Sequence, residues 1–461
     1  MRIAMAVPTL LLVAFSRPQD SGRVYQAPDP EPTPEETLAL EHMNAMRANP
    51  APFAERIAAY AKTDSTGQWN LVDWKMFMDE IRALKPAPPL VFNLDLLDAA
   101  RKHSHYITLN DQLGHDETPS KPGFTGARPA DRVAAAGYAG LFSAENAGTG
   151  HRNGWDSHCR FIIDAGPGGT GGMQPERGHR RNMMSPRHRE IGLGMVPDGR
   201  GTYTTTHDFG RRDPRMAGGV FFVDWNGNSF YDVGEGVGSV AVTSSDGAST
   251  LSWKSGAYAL DLKGTGTVTL TALFDGERFA RTFPAGTDNI KFDWIIPAEV
   301  VQRRADRYLQ ALEKAGDPAS APYQKALVSL YVHTRTLCLD PERRRRIAEL
   351  TAPVAADLEA RQAAVLKAVR DDAPDAPKIL EEQRKPYKGT EADPWFEDAE
   401  TALRLKRVAQ AFLRKPKPAP QERRQLAATL EDSARRMKTE TFRSEVEALA
   451  AKIRGASDAA R

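Results

Sequence analysis

Hydrophobic positions along the chain fall into three successive regimes. In the first, after Pro34, the residues Leu38, Leu40, Met43, Ala45 and Met46 share one face at helical spacing up to Asn49-Pro50, with Thr37 placed to cap that helix. A second helix is expected across 71–84. Leu94, Leu97, Ala100, Ser104 and Ile107 then form one stripe, which predicts a helix over 94–109. His103 and His105 lie roughly 200° apart around that helix, too far round to share one metal ion. A glycine-rich span, 166–172, leads to Gly178-His179-Arg180, and strand-like runs at 191–196 and 202–207 close the region around the turn residues Pro197–Gly201. Helices followed by a terminal hairpin predict layers of helix, sheet and helix.

The period shifts to two between Met216 and Pro297. Runs at 220–223, 240–243, 257–260, 267–271 and 290–294, separated by Gly, Asn and Asp, predict a small all-β sandwich over 216–297. From 298 to 461 glycine becomes rare and Ala, Leu, Glu, Arg and Lys dominate. Helices are expected over 300–315, 322–337, 341–369, 401–413 and 421–453, broken by the prolines at 318, 353, 374, 416 and 420. No regular repeat marks a solenoid. The fold class expected from these regimes is α+β multidomain, with an all-α C-terminal region.

At the N-terminus, Met1-Arg2 precedes an apolar run from Ile3 to Phe15, which reads as a signal peptide over 1–16. About 13 apolar residues interrupted by Pro8 fall short of the roughly 20 that span a bilayer. No later run is long enough, so no transmembrane segment is expected once the signal is removed. Residues 17–34, rich in Pro, Asp, Glu and Gln, read as a linker. The expected location is therefore secreted, periplasmic or cell-surface.

Charge narrows the partners. With 62 Lys and Arg against 60 Asp and Glu, the chain has no global field to gather nucleic acid, and none is expected as a partner. Arg343–Arg346 sits among Asp340, Glu342 and Glu349 and reads as a solvated helix face. Two cysteines, Cys159 and Cys338, exclude a disulfide framework, and two isolated buried thiols are favoured over one long-range bridge. Nine of the ten histidines fall between His42 and His207, which concentrates imidazole chemistry in the first region. There is no His-Glu-x-x-His and no Gly-x-Ser-x-Gly, and the adjacent His158-Cys159 pair is weak evidence for cysteine catalysis.

Asn44 with Arg47, Pro89-Leu90, His115, Glu145-Asn146, Gly178-His179-Arg180 and Ile191-Gly-Leu-Gly194 fall in an order that resembles the CAP superfamily, also called the SCP or sperm-coating-protein-like domain. The resemblance spans about 35–212, with the Gly-His-Arg form of bacterial members. It implies an α-β-α sandwich with a cleft holding two histidines and two acids, which in some members binds a divalent metal such as zinc. Carried onto this chain, His115 is the first histidine, Glu145 the first acid and His179 the second histidine. Asp164 is the best match to the second acid and Glu176 an outside one. Two neutral imidazoles with an open position suit zinc, with carboxylates completing the shell or orienting the rings. The competing reading is a hydrogen-bonded polar cluster that fixes the loops around a cleft.

The β-region carries a separate signal. Asp224, Asn226, Asn228, Asp232 and Glu235 stand at loop positions 1, 3, 5, 9 and 12, the calcium-loop pattern of EF-hands. Ser229 replaces the glycine of position 6 and the flanks read as strands, so the loop looks more like those of calcium-binding β-sandwich modules on bacterial surface proteins. The alternative is an Asn/Gly turn bonded to its own backbone. The leading expectation is a CAP-domain protein binding a small apolar ligand or an extracellular partner (lipid, cell-wall or protein) through a His/acid-lined cleft. The alternatives are a metal-dependent hydrolase of cell-wall or protein substrates, with Glu145 as general base, and a structural adhesion scaffold.

Overall fold

The computed structural model describes residues 30–415 and 419–437, together with 442, 445, 446, 449, 450, 452 and 453. The expected signal peptide 1–16 and residues 17–29 of the linker lie outside the described residues.

The first helix, α1 (Pro34–Ala48), is capped four residues earlier than Thr37. The Thr33 hydroxyl accepts from Glu36 N at 3.2 Å and the Glu36 carboxylate accepts from Thr33 N at 2.7 Å, with Pro34 at the first helical position. Proline preset for helix and a reciprocal Thr/Glu box outweigh a lone threonine. Thr37 is instead buried one turn in, where its hydroxyl donates to Ser255 of the β-region at 2.8 Å. Next come α2 (Phe53–Lys62), which the hydrophobic pattern did not mark, and α3 (Trp74–Arg82), started by Asp73. They are followed by β1 (Val91–Phe92), α4 (Leu94–Asn110), α5 (Pro129–Ala136), β2 (Leu141–His151), α6 (Gly154–Ile163), α7 (Gly178–Met184), β3 (Glu190–Pro197) and β4 (Tyr203–Arg211).

These strands form one sheet in the order β1-β3-β4-β2, with β1 parallel to β3 and the other pairs antiparallel. Alternation along β3 explains how helices lie on it. Gly192 and Gly194 face α4 and bring it so close that a Cβ at Gly192 would sit 1.9 Å from the Leu96 carbonyl carbon. Ile191 and Leu193 point the other way, into a core shared with Met43 and Met46 of α1 and Ile162 of α6.

The β-region has strands β5 (Met216–Phe222), β6 (Ala241–Ser244), β7 (Ser249–Leu251), β8 (Ala257–Asp261), β9 (Val268–Phe274), β10 (Glu277–Phe283), β11 (Ile290–Lys291) and β12 (Trp294–Ile295). One sheet runs β10-β9-β6-β7. In the other, β5 pairs with β8 antiparallel and with β11 and β12 in parallel. Phe221, Tyr258 and Leu260 of one sheet share a core with Val242, Leu270 and Ala272 of the other. The region is docked tightly onto what precedes it. Trp253 and Ala257 belong to the core of the first region, and the Arg212 guanidinium bridges Glu190 and Asp261.

Helices α8 (Ala298–Ala315), α9 (Ala321–Thr334), α10 (Pro341–Arg370), α11 (Ala376–Arg384), α12 (Asp393–Leu413) and α13 (Pro420–Arg436) complete the described elements. Pro353 does not break its helix, because α10 runs through it for 30 residues with Val354 and Leu358 buried. Packing of that face outweighs the lost backbone bond. The arginine run is a paired surface: Arg343 with Asp306 and Asp340, Arg345 with Glu349, Arg346 with Glu313. Both cysteines are free and buried. Among the described residues, no helix is long and apolar enough to cross a membrane.

Candidate functional site

Strand β2 organises the candidate residues. Its pairing with β4 sets Glu145 opposite Asp208 and Asn146 opposite His207. His115 stands in the loop after α4 with its side chain 53% exposed, and its Nδ1 lies 2.8 Å from Glu145 Oε1. Glu145 is buried, and the Arg132 guanidinium donates to its other oxygen at 2.5 Å. His103 from α4 completes the mounting. Its Nε2 lies 2.9 Å from Gly114 O, which anchors the loop beside His115, and its Nδ1 lies 2.9 Å from Glu117 Oε1.

The electrostatics follow from burial and charge together. Burial pushes Glu145 up, but the His115 hydrogen bond and the His103 and Arg132 charges prevail and hold it below the usual carboxylate range. His115 is raised, chiefly by the Glu145 hydrogen bond acting against partial burial. Asp208 goes the other way, well above its ordinary value, because it is buried and faces the Glu145 charge.

A second pair sits on the far side of β2. Asp164 ends α6 in the left-handed conformation, with φ 55°, which a short polar side chain tolerates better than most. Its Oδ2 accepts from His179 N at 3.0 Å and its Oδ1 lies 2.8 Å from His179 Nδ1. Glu176, the outside match, is exposed and pairs with Arg181 instead. Asn146 joins the two halves: its Nδ2 donates to His179 O at 3.2 Å, and its Oδ1 accepts from Asn182 of α7 at 2.8 Å. Behind His179, Phe161 separates that ring from the buried His207, whose two nitrogens make no hydrogen bond among the described residues and which burial keeps neutral.

The four candidates thus form two separate carboxylate–imidazole pairs, His115 Nδ1 beside Glu145 and His179 Nδ1 beside Asp164. Among the described residues, no group of three or more His, Cys, Asp or Glu side chains is arranged to hold a metal ion. The donor set suits at most a weakly held divalent ion on two imidazoles, with the acids orienting the rings from behind. Sequence reasoning missed His103, Glu117, Arg132, Asn182 and Asp208. Asp208 was nearest to hand, since the anticipated strand stopped one residue short of it and an acid inside a strand is costly to bury and so worth inspecting.

The loop from Asp224 to Glu235, between β5 and β6, also closes on its candidates. Asp224 accepts from Asn228 N at 3.0 Å and Ser229 N at 2.9 Å, Asp232 Oδ2 accepts from the side chains of Asn226 and Asn228 at 2.7 Å, and Glu235 accepts from Trp225 N and Asp232 N. Ser229 adopts φ 56°, the backbone that the glycine of position 6 supplies elsewhere.

Comparison with known proteins bears on the first region. Residues 76–209 match the model of the CAP family, described as the cysteine-rich secretory protein family. A solved extracellular protein containing a SCP domain, from Bacillus anthracis str. Ames, is similar at 21% identity over 27% of this chain and 35% of that one, with a TM-score of 0.22. The match therefore spans about a third of that protein. No curated protein matches.

Proposed function

Since residues 76–209 form a CAP domain, we propose that the protein is an exported binding protein that takes a small apolar ligand or an extracellular partner at the edge of β2. On this reading the first region is the family's α-β-α sandwich and 216–297 is a β-sandwich docked to it. The observation that carries the proposal is the pair of imidazoles, His115 and His179: the first is hydrogen-bonded through Nδ1 to buried Glu145, and the second lies with Nδ1 2.8 Å from buried Asp164 while its backbone N and O bond Asp164 and Asn146, the residue next to Glu145 on the same strand. Such mounting fixes ring direction before anything binds, which lowers the cost of ordering them. Leu113, largely exposed two residues before His115, offers apolar contact beside the ring.

Binding is favoured over hydrolysis by the state of Glu145. A general base must reach the proton it removes at about 2.6–3.2 Å. Both Glu145 oxygens already serve His115 and Arg132 inside the protein. His115 and His179 are the residues that would hold a divalent ion such as zinc. When bound, such an ion supplies a positive point for an anionic or carbonyl group of the partner. Zinc titration by calorimetry on protein purified without chelator is the test. His115→Ala and His179→Ala are each expected to weaken zinc at least about tenfold, or 1.4 kcal/mol, while leaving the melting temperature within a few degrees. Unchanged affinity in both variants would remove the two imidazoles from the site.

A second reading concerns the β-region, where the loop Asp224, Asn226, Asn228, Asp232 and Glu235 is proposed to hold calcium. Its support is the sequence spacing together with the positive φ at Ser229. Calcium at about 100 times its Kd should stabilise the chain by about 2.7 kcal/mol, reversed by chelator. Asp224→Ala is expected to abolish the calcium response; a wild-type melt indifferent to calcium sinks the reading.

A further inference from the structure

The seam where the β-region docks onto α1 contains three ionisable side chains whose charges do not balance. Glu41 of α1 is almost fully buried, and Lys291 of β11 donates to its Oε2 at 2.7 Å. Lys291 also donates to Asp293, between β11 and β12. The other titratable groups facing Glu41 are Tyr258 of β8 and Tyr231 of the Asp224–Glu235 loop. Both phenols are pushed up, mainly by burial, so they stay neutral. A cavity with room for about one water lies against Glu41 and Lys291, walled also by Leu40, Asn44, Phe92, Gly218, Gly219 and Tyr258.

One ammonium cannot neutralise two carboxylates in so dry a place, and the geometry indicates which acid gives way. Asp293 keeps 36% of its side chain exposed and accepts a further hydrogen bond from Val220 N at 2.9 Å, so its charge is solvated and paired. The Glu41 side chain is only 6% exposed, and Lys291 is its donor. Two nearby carboxylates with unequal solvation titrate apart, the drier one holding its proton. We propose that this seam is a proton-operated lock: Glu41 is a neutral acid when the two regions are docked, and its ionisation in alkaline solution loosens their contact.

Burial, and next the Asp293 charge, raise Glu41 to about 8 against the opposing pull of Lys291. The sign of the linkage follows. In the unfolded chain Glu41 loses its proton in the ordinary carboxylate range, whereas in the folded chain it keeps it to about pH 8. Its contribution is therefore complete in acid and fades as pH rises through that window.

The test compares thermal and urea unfolding of the full chain and of Glu41→Gln between pH 5 and pH 9. Glutamine mimics the neutral acid. The wild-type unfolding constant, relative to the variant, should grow by up to about tenfold per pH unit within the window. A wild-type to variant ratio that does not change with pH overturns the lock. Should the variant fail to fold, wild-type protein labelled with carboxyl-13C glutamate decides. A glutamate resonance titrating near pH 8 supports the proposal, and one set confined to the ordinary range overturns it. Hydrogen exchange at Gly218–Val220, corrected for its intrinsic pH dependence, should quicken in the wild type as pH rises towards 8 and level off above it; unchanged protection overturns the loosening.

Discussion

Replacing Arg132 with methionine is expected to cost about 3–5 kcal/mol, read as a lower urea midpoint at unchanged slope. The guanidinium is buried, bonded to Glu145 at 2.5 Å and 3.6 Å from Glu117, with Asp208 facing the same carboxylate. Methionine roughly fills its volume, so packing changes little. What changes is that the buried acids lose their cation, and breaking a buried pair from one side leaves the other charge unpaid for. Two controls separate this from a cavity effect. Arg132→Met should lose less at acid pH, where the acids are neutral, and Arg132→Met with Glu145→Gln should lose less than the sum of the single changes. Additive losses, or a loss below about 1 kcal/mol, would mean that the cluster does not depend on this charge. The same variant should weaken zinc or ligand at His115, because Glu145 would no longer be held against that ring.

This cluster also shows why the site was only half legible in the sequence. His115, Glu145, Asp164 and His179 could be picked out because they stand in short polar motifs whose order resembles a family. Their mounting could not, because nothing local ties Arg132 on α5 or His103 on α4 to Glu145. The contact exists only after β2 pairs with β4 and α4 settles on the sheet. Strand β2 itself was invisible for a related reason. From Leu141 to His151 its buried places are taken by Glu145, Asn146, Ala147 and His151 instead of by alternating large apolar residues, so the period-two signal is absent. Helix α4 and strand β3 bury apolar residues in regular register and were readable nearly to the residue, whereas β4 runs four residues past the expected 207 and fills its buried places with Thr204, Thr205, Thr206, His207 and Asp208 before Phe209. In the β-region the runs of β5, β6, β8, β9 and β11–β12 were visible, but β7 and β10, which bury almost nothing, were not, and neither was the parallel pairing of β11 and β12 with β5, since register between distant segments leaves no local trace.

Gly192→Ala is the second change expected to act strongly, at about 3 kcal/mol, the upper end of overpacking costs. The space around this glycine is closed by main chain, not by a flexible side chain. Its Cβ would lie 1.9 Å from the Leu96 carbonyl carbon and 2.1 Å from the Leu96 carbonyl oxygen, so α4 as a whole must move off the sheet. That movement reaches the site, because α4 carries His103, which holds Gly114 O and hence the His115 loop. Denaturant unfolding and zinc titration of Gly192→Ala should therefore fail together. Gly114→Ala is the matched control: no atom lies within 4 Å of its added methyl, and it should leave stability within about 0.5 kcal/mol of wild type. If Gly192→Ala unfolds at the wild-type midpoint, α4 is not pressed on β3 as described. If it is destabilised but binds zinc as before, His103 does not carry the helix position to the His115 loop, and that loop must be held by Glu145 alone.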